Sequence, residues 1–222
     1  MNQLIFDFED RSYPSFDKFL GHANAGLIHV LQNQHEPFIF VWGEEGSGKS
    51  HLLQAWVAQA KSRALRAEYI DAAHESLGNW LLEMDCVAVD QIEFLNPTEQ
   101  QQLFTLFNEF RNRRQGNLLL SSALAPTQLM IREDLRTRMA YCLVYEIKPL
   151  SDDEKFDALM SMAQARQISI DAEVVRYLLA HWRRDLDSLL LMLNTLNEYS
   201  LAQRRRITLP LLRQLLKQQE HS

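Results

Sequence analysis

The sequence predicts an α/β fold, a parallel sheet flanked by helices, followed by a small all-helical unit. Three observations predict it. Short apolar runs at 38–42, 68–73, 86–90, 117–122 and 142–147 alternate with helix-periodic stretches. That alternation builds a parallel sheet covered on both faces. The first run opens into Gly43-Glu44-Glu45-Gly46-Ser47-Gly48-Lys49-Ser50, the spacing G-x-x-x-x-G-K-S/T of a phosphate-cradling loop. Beyond Pro149 the periodic stretches are all helical.

Composition narrows the function classes. The 222 residues carry a formal charge of −6 and are 46% hydrophobic, ordinary for a chain with a real core. Residues 1–150 hold 13 Lys/Arg against 19 Asp/Glu, and 151–222 hold 10 against 10. Such a balance lacks the basic footprint of a broad nucleic-acid binder. Cys86 and Cys142 sit in apolar strand-like runs and are expected to be free buried thiols, because this count and spacing suit neither disulfides nor a metal site. The N-terminal ten residues are acidic and carry no Lys or Arg, and no apolar run approaches membrane-spanning length. The expected location is cytoplasmic, with no membrane partner.

Taken in order, the chain begins with M-N-Q-L-I-F-D-F-E-D (1–10), unusually apolar for a terminal tail. An edge strand or a flap on the core would account for it. So would a linear peptide that inserts side chains into a partner's pocket. The spacing of Gln3, Leu4, Phe6 and Phe8 resembles the Q-L-x-φ-x-F peptide by which bacterial proteins dock on the DNA polymerase sliding clamp. Phe16 and Phe19 then precede a helical stretch reaching Gln32, either as a staple-like packing pair or as the lining of a purine pocket.

The run Phe38–Trp42 reads as a buried strand that Gly43 breaks. In the loop, the glycines at 43, 46 and 48 leave no side chain between backbone and ligand. Its N–H groups and the following helix N-terminus then converge on an anion. Lys49 would reach the terminal phosphates and Ser50 would hold Mg²⁺. Leu52, Leu53, Ala55, Trp56 and Val57 supply the helix after it. Glu68–Ala73 reads as a second strand and Cys86–Asp90 as a third. The apolar run ending in Asp90 is the pattern of a strand whose carboxylate supports Mg²⁺. Asn96–Arg114 reads as a helix capped by Asn96 or Thr98, with Leu103, Phe104, Phe107 and Phe110 on one face. Asn117–Ser122 is a fourth strand ending in hydroxyls, Arg132–Met139 a short helix and Cys142–Ile147 a fifth strand. Helices follow at Ser151–Ala165, Asp171–His181, Asp185–Leu201 and Leu209–Lys217, the first opening with a capping sequence. The Arg204–Arg206 triplet reads as a solvated loop. The expected division is therefore 1–10, 11–149 and 150–222.

Several stretches together resemble the AAA+ ATPases, specifically the DnaA clade and within it the Hda family. They are S-F-D-K-F-L-G-H-A-N (15–24), G-E-E-G-S-G-K-S-H-L-L-Q-A (43–55), V-A-V-D-Q-I-E (87–93), F-T-L-F-N-E-F (104–110), L-L-L-S-S (118–122), L-R-T-R (135–138) and I-T-L-P-L-L (207–212). The resemblance implies an AAA+ P-loop NTPase domain followed by a helical lid. Gly43, Glu44, Glu45, Gly46, Ser47, Gly48, Lys49, Ser50 and His51 would hold the phosphates of ADP or ATP. Ser50 and Asp90 would hold Mg²⁺, and Phe16, Phe19, Leu20 and Gly21 would border the base. Arg138 matches the family's arginine finger, a catalytic group that acts in trans on a neighbour's nucleotide; without the resemblance it reads as a surface salt-bridge arginine.

Three departures bear on turnover. Gln91 follows Asp90 where a hydrolytic site carries a second acid, and Asp187 stands where the DnaA pattern has a nucleotide-sensing arginine, with Arg183 and Arg184 a turn earlier. The fourth strand ends in S-S-A, without the acid found there in many relatives. The chain's own hydrolysis is accordingly expected to be weak, with ADP the expected resident. The resemblance implies a regulator of chromosome replication initiation. It would dock on the sliding clamp through residues 3–8, reach DNA mainly through the clamp, and promote hydrolysis of ATP held by DnaA. A homo-oligomer is compatible with the pattern. The alternatives are a helicase-loader ATPase binding single-stranded DNA, which needs a basic aromatic groove, and a stand-alone NTPase.

Overall fold

A computed structural model describes residues 14–16, 19, 21–33, 36–183 and 185–219, the side chains of residues 187, 218 and 219 excepted. Gln3, Leu4, Phe6, Phe8, Leu20 and Arg184, and the side chain of Asp187, therefore lie outside the described residues. The chain divides into two units. Of the described residues, those of 25–43 and 48–146 form most of the first, while 21–24, 44–47 and those from 147 to 219 belong to the second.

In the first unit the strands are β1 (Phe38–Trp42), β2 (Ala67–Asp71), β3 (Cys86–Asp90), β4 (Asn117–Ser122) and β5 (Leu143–Glu146). They form one five-stranded sheet in the order β2-β3-β4-β1-β5, with parallel pairing throughout. The helices are α1 (Ala25–Asn33), α2 (Lys49–Ser62), α3 (Pro97–Arg113) and α4 (Glu133–Met139). The periodicity of α3 turns Leu103, Leu106, Phe107 and Phe110 onto one sheet face, where Phe107 stacks on Phe38 at 4.2 Å between ring centres. Asn96 is its cap: the side chain accepts from Thr98 N at 2.9 Å and Glu99 N at 3.0 Å, and Glu99 Oε2 accepts in return from Asn96 N. Helix α2 packs against β2, β3 and β4, burying Leu52, Leu53, Ala55, Trp56 and Val57.

Two expectations need correction. The second strand is Ala67–Asp71 rather than Glu68–Ala73, because the chain turns at once: His74 N and Glu75 N both donate to Asp71 O. The fifth strand is not covered on both faces. Among the described residues it pairs only with β1, and as the edge of the described sheet it leaves Leu143 and Val144 37% and 41% exposed. Cys142 consequently precedes the strand and is only partly buried by area, although burial pushes its thiol up to about 12. Cys86 is buried in β3, and desolvation raises its pKa as well. Both cysteines are free.

The second unit contains α5 (Asp152–Ala165), α6 (Ala172–His181), α7 (Leu186–Gln203) and α8 (Leu209–Gln219). Its core gathers Leu159, Val175, Leu178, Leu193, Leu196 and Leu212. Ser151 caps α5 through a reciprocal box with Glu154. Arg204 ends α7 in the left-handed conformation, and Arg205 and Arg206 are exposed as expected.

Candidate functional site: a phosphate loop and a row of strand ends

The strand order determines what meets at the carboxyl edge of the sheet. Because β4 lies between β1 and β3, the strand ends line up as Trp42, Ser122–Ser121, Asp90 and Asp71. This edge is where parallel sheets present ligand sites. At its first position the chain leaves β1 with Gly43 N donating to Ser122 O at 3.3 Å. Gly46 and Gly48 then take φ of 73° and 95°, conformations that cost little only without a Cβ. A Cβ at Gly48 would stand 3.0 Å from the Phe19 ring.

The loop's polar groups suit an anionic occupant. Lys49 is buried at the start of α2, with Nζ donating to Gly43 O at 2.8 Å. The Ser47 hydroxyl is enclosed without a hydrogen-bond partner among the described residues, a cost of about 1–3 kcal/mol unless a ligand satisfies it. Glu44, Glu45 and Ser50 are exposed. His51 joins the same end of α2: its Nε2 lies 3.2 Å from Ser15 O, and its ring lies 6.1 Å from Phe19. Phe19 and His51 thus come together beside Gly48. Phe16 is buried in the core. Gly21 groups with the helical unit, where a Cβ would fall 2.8 Å from Leu150 Cδ2.

Asp90 is fully buried. Tyr69 donates its hydroxyl to Asp90 Oδ2 at 2.8 Å, and Ser121 donates to Oδ1. Burial first, and then the Asp90 charge, hold the Tyr69 phenol well above the usual tyrosine range, so it remains a donor at neutral pH. Gln91 has φ of 56°; its N–H donates to Ser121 Oγ at 3.1 Å and its amide Nε2 to Asp71 Oδ1 at 2.8 Å. Among the described residues no three His, Cys, Asp or Glu side chains gather as a metal cage. A divalent cation here would take most of its ligands from phosphate and water, as Mg²⁺ characteristically does.

Arg138, near the end of α4, is half-buried. Its guanidinium lies 5.2 Å from the Phe104 ring centre and 5.9 Å from that of Tyr141. Arg111 lies over the same Tyr141 ring at 4.3 Å. Arg138 Nε is enclosed without a hydrogen-bond partner among the described residues, and no carboxylate among them pairs with this side chain. Its neighbours differ: Arg132, just before α4, pairs with Asp134, and Arg136 pairs with Glu133. The plain salt-bridge reading of Arg138 therefore finds no partner there.

A family model for the bacterial DnaA ATPase domain matches residues 15–146, more than half of the chain. The chain belongs to the DnaA-type AAA+ family. A second model, for the lid domain of Hda, matches residues 152–216, so this family member carries its helical unit as an Hda-type lid. Domain III of the DnaA protein of Thermotoga maritima is similar, with a TM-score of 0.75, 20% identity, and coverage of 90% of this chain and 93% of that one. AMPPCP-bound DnaA from Aquifex aeolicus gives a TM-score of 0.70 at 22% identity, covering 86% of this chain and 66% of that one. A protein from Neisseria meningitidis solved in solution shares 58% identity over 67% of this chain and all of its own, with a TM-score of 0.48.

Reading the DnaA-type chain by sequence missed Tyr69, Asp71, Ser121 and Tyr141. The strand ending in two serines was visible. That one of them would serve Asp90 required the strand order, and Asp71 required the register of β2 on β3.

Proposed function

We propose that this chain is a regulatory AAA+ protein of replication initiation that holds adenine nucleotide and acts on ATP bound by DnaA. The phosphates would lie in the Gly43–Ser50 loop, where Ser47 Oγ lacks a partner among the described residues. Ser50 and Asp90 would hold Mg²⁺, which when bound neutralises phosphate charge, and Phe19 would border the base. Gln3, Leu4, Phe6 and Phe8 would tether the chain to the sliding clamp. Arg138 would reach the ATP of a neighbouring DnaA, a charge worth about 10³–10⁵ in rate where it completes the transition state.

One observation carries this reading. In a chain with an Hda-type lid, Arg138 lies over two aromatic rings without a carboxylate partner among the described residues, a cation held in place for an anion from outside.

Clamp, DNA and ATP-loaded DnaA are combined with the protein, and phosphate release is followed. Deleting residues 1–8 should abolish clamp binding and stimulation. Arg138→Ala should keep clamp binding and lower the stimulated rate by about 10³-fold. Unchanged stimulation by Arg138→Ala would overturn the reading. So would salt-sensitive binding of a DNA oligomer that needs neither clamp nor DnaA, which the helicase-loader reading expects.

A further inference from the structure

Gln91 occupies the position where a hydrolytic site needs a carboxylate, and the structure shows what holds it. Asp71 ends β2 directly opposite Asp90 in the β2–β3 register. The left-handed backbone at Gln91 carries its side chain back over that strand end, where Nε2 meets Asp71 Oδ1 at 2.8 Å. The same carboxylate accepts from Ala73 N at 3.1 Å and lies 2.8 Å from His74 Nδ1. An ionised carboxylate only accepts hydrogen bonds, so it orients the amide with NH₂ inward and leaves the carbonyl Oε1 available on the other side.

We propose that Asp71 is a positioning residue for residue 91, and that its carboxylate is what admits an amide there and excludes an acid. A glutamate at 91 would face Asp71 as acceptor against acceptor, without a proton between them, and would be turned from the site. Water held at the Gln91 carbonyl could be oriented but not deprotonated. In hydrolysis the water oxygen bonds to the γ-phosphorus, the bond to the bridging oxygen breaks, and one water proton leaves for solvent. A carboxylate accepts that proton in passing, whereas an amide does not. The pair thus keeps the chain's own nucleotide from rapid turnover, an inference that rests on the nucleotide-holding reading of the Gly43–Ser50 loop.

The test exchanges donor and acceptor. Melting temperatures are measured without nucleotide for the full chain, Gln91→Glu, Asp71→Asn and the double variant. Turnover of ATP by the protein alone follows, with Lys49→Ala as the blank and ADP binding measured by calorimetry. Gln91→Glu should lower the melting temperature by roughly 2–6 °C. The double variant should recover it, because the amide introduced at position 71 then donates to the carboxylate introduced at position 91. Turnover should rise at least ~10-fold for the double variant, the lower part of what a base contributes, and by clearly less for Gln91→Glu alone. Additive melting changes, or a full gain from Gln91→Glu alone, would overturn the proposal. If the double variant does not fold, Asp71→Ala, Gln91→Ala and their combination supply the same cycle: non-additive losses support the pairing and additive ones overturn it. Absence of ADP binding would instead sink the nucleotide reading, while the melting cycle still decides the role of Asp71.

Discussion

Replacing Tyr69 with phenylalanine removes one atom from the centre of the site. That oxygen donates to Asp90 Oδ2 at 2.8 Å, and Asp90 is fully buried. The Ser121 hydroxyl would remain as a side-chain donor. A hydrogen bond to a charged group contributes about 1.5–3 kcal/mol, and a buried acceptor left short adds to the loss. Tyr69 is itself only half-buried, so water can replace part of the bond, and the lower half of that range applies. About 1.5–2 kcal/mol corresponds to a fall of roughly 3–8 °C in melting temperature for a chain of this size. The alkaline limb is a second readout. The folded state holds the Tyr69 proton more tightly than the unfolded chain does, chiefly through burial. Its contribution is therefore complete below the unfolded tyrosine value of about 10 and is lost as pH rises above it. Wild type should destabilise more steeply than Tyr69→Phe between about pH 9.5 and 11, with the other tyrosines common to both proteins. Calorimetric scans across that range decide it. A loss under about 0.5 kcal/mol with parallel alkaline limbs would refute the reasoning, since that is the size of an ordinary surface change.

Gly48→Ala should reduce ADP affinity at least ~10-fold while leaving the fold intact, because φ is 95° and the new methyl would stand 3.0 Å from Phe19; titration calorimetry with circular dichroism checks both halves. Asn96→Ala should cost about 1–2 kcal/mol in urea unfolding, since the side-chain oxygen that accepts from Thr98 N and Glu99 N at the start of α3 disappears. The native protein should react slowly with a thiol reagent at pH 8, with Cys86 buried and the Cys142 thiol pushed up to about 12. Both cysteines should react promptly once the chain is unfolded.

The predicted elements survive comparison wherever the signal was local. The spans 38–42, 86–90 and 117–122 are strands with those very ends, because apolar runs bounded by Gly43, by the Asp90–Gln91 turn and by the 114–116 turn leave little choice of length. The remaining differences have one local and one tertiary cause. β2 is pulled to Asp71 by the turn whose amides donate to Asp71 O, and β5 is exposed because the order of the described strands places it outside β1.

Residue spacing alone determined the glycine-rich loop of residues 43–50, the apolar run ending in Asp90 and the helical unit after Pro149. Each is written in contiguous residues whose geometry follows from backbone angles and side-chain period. Tertiary structure decided which distant groups share a site. Inserting β4 between β1 and β3 brought Ser121 to Asp90, the parallel register brought Asp71 to Gln91, and the approach of α4 to α3 laid Arg138 over Phe104. Hydrogen bonds between residues 20 to 31 positions apart leave no periodic trace in a sequence, because their partners are chosen by strand order and not by neighbours along the chain.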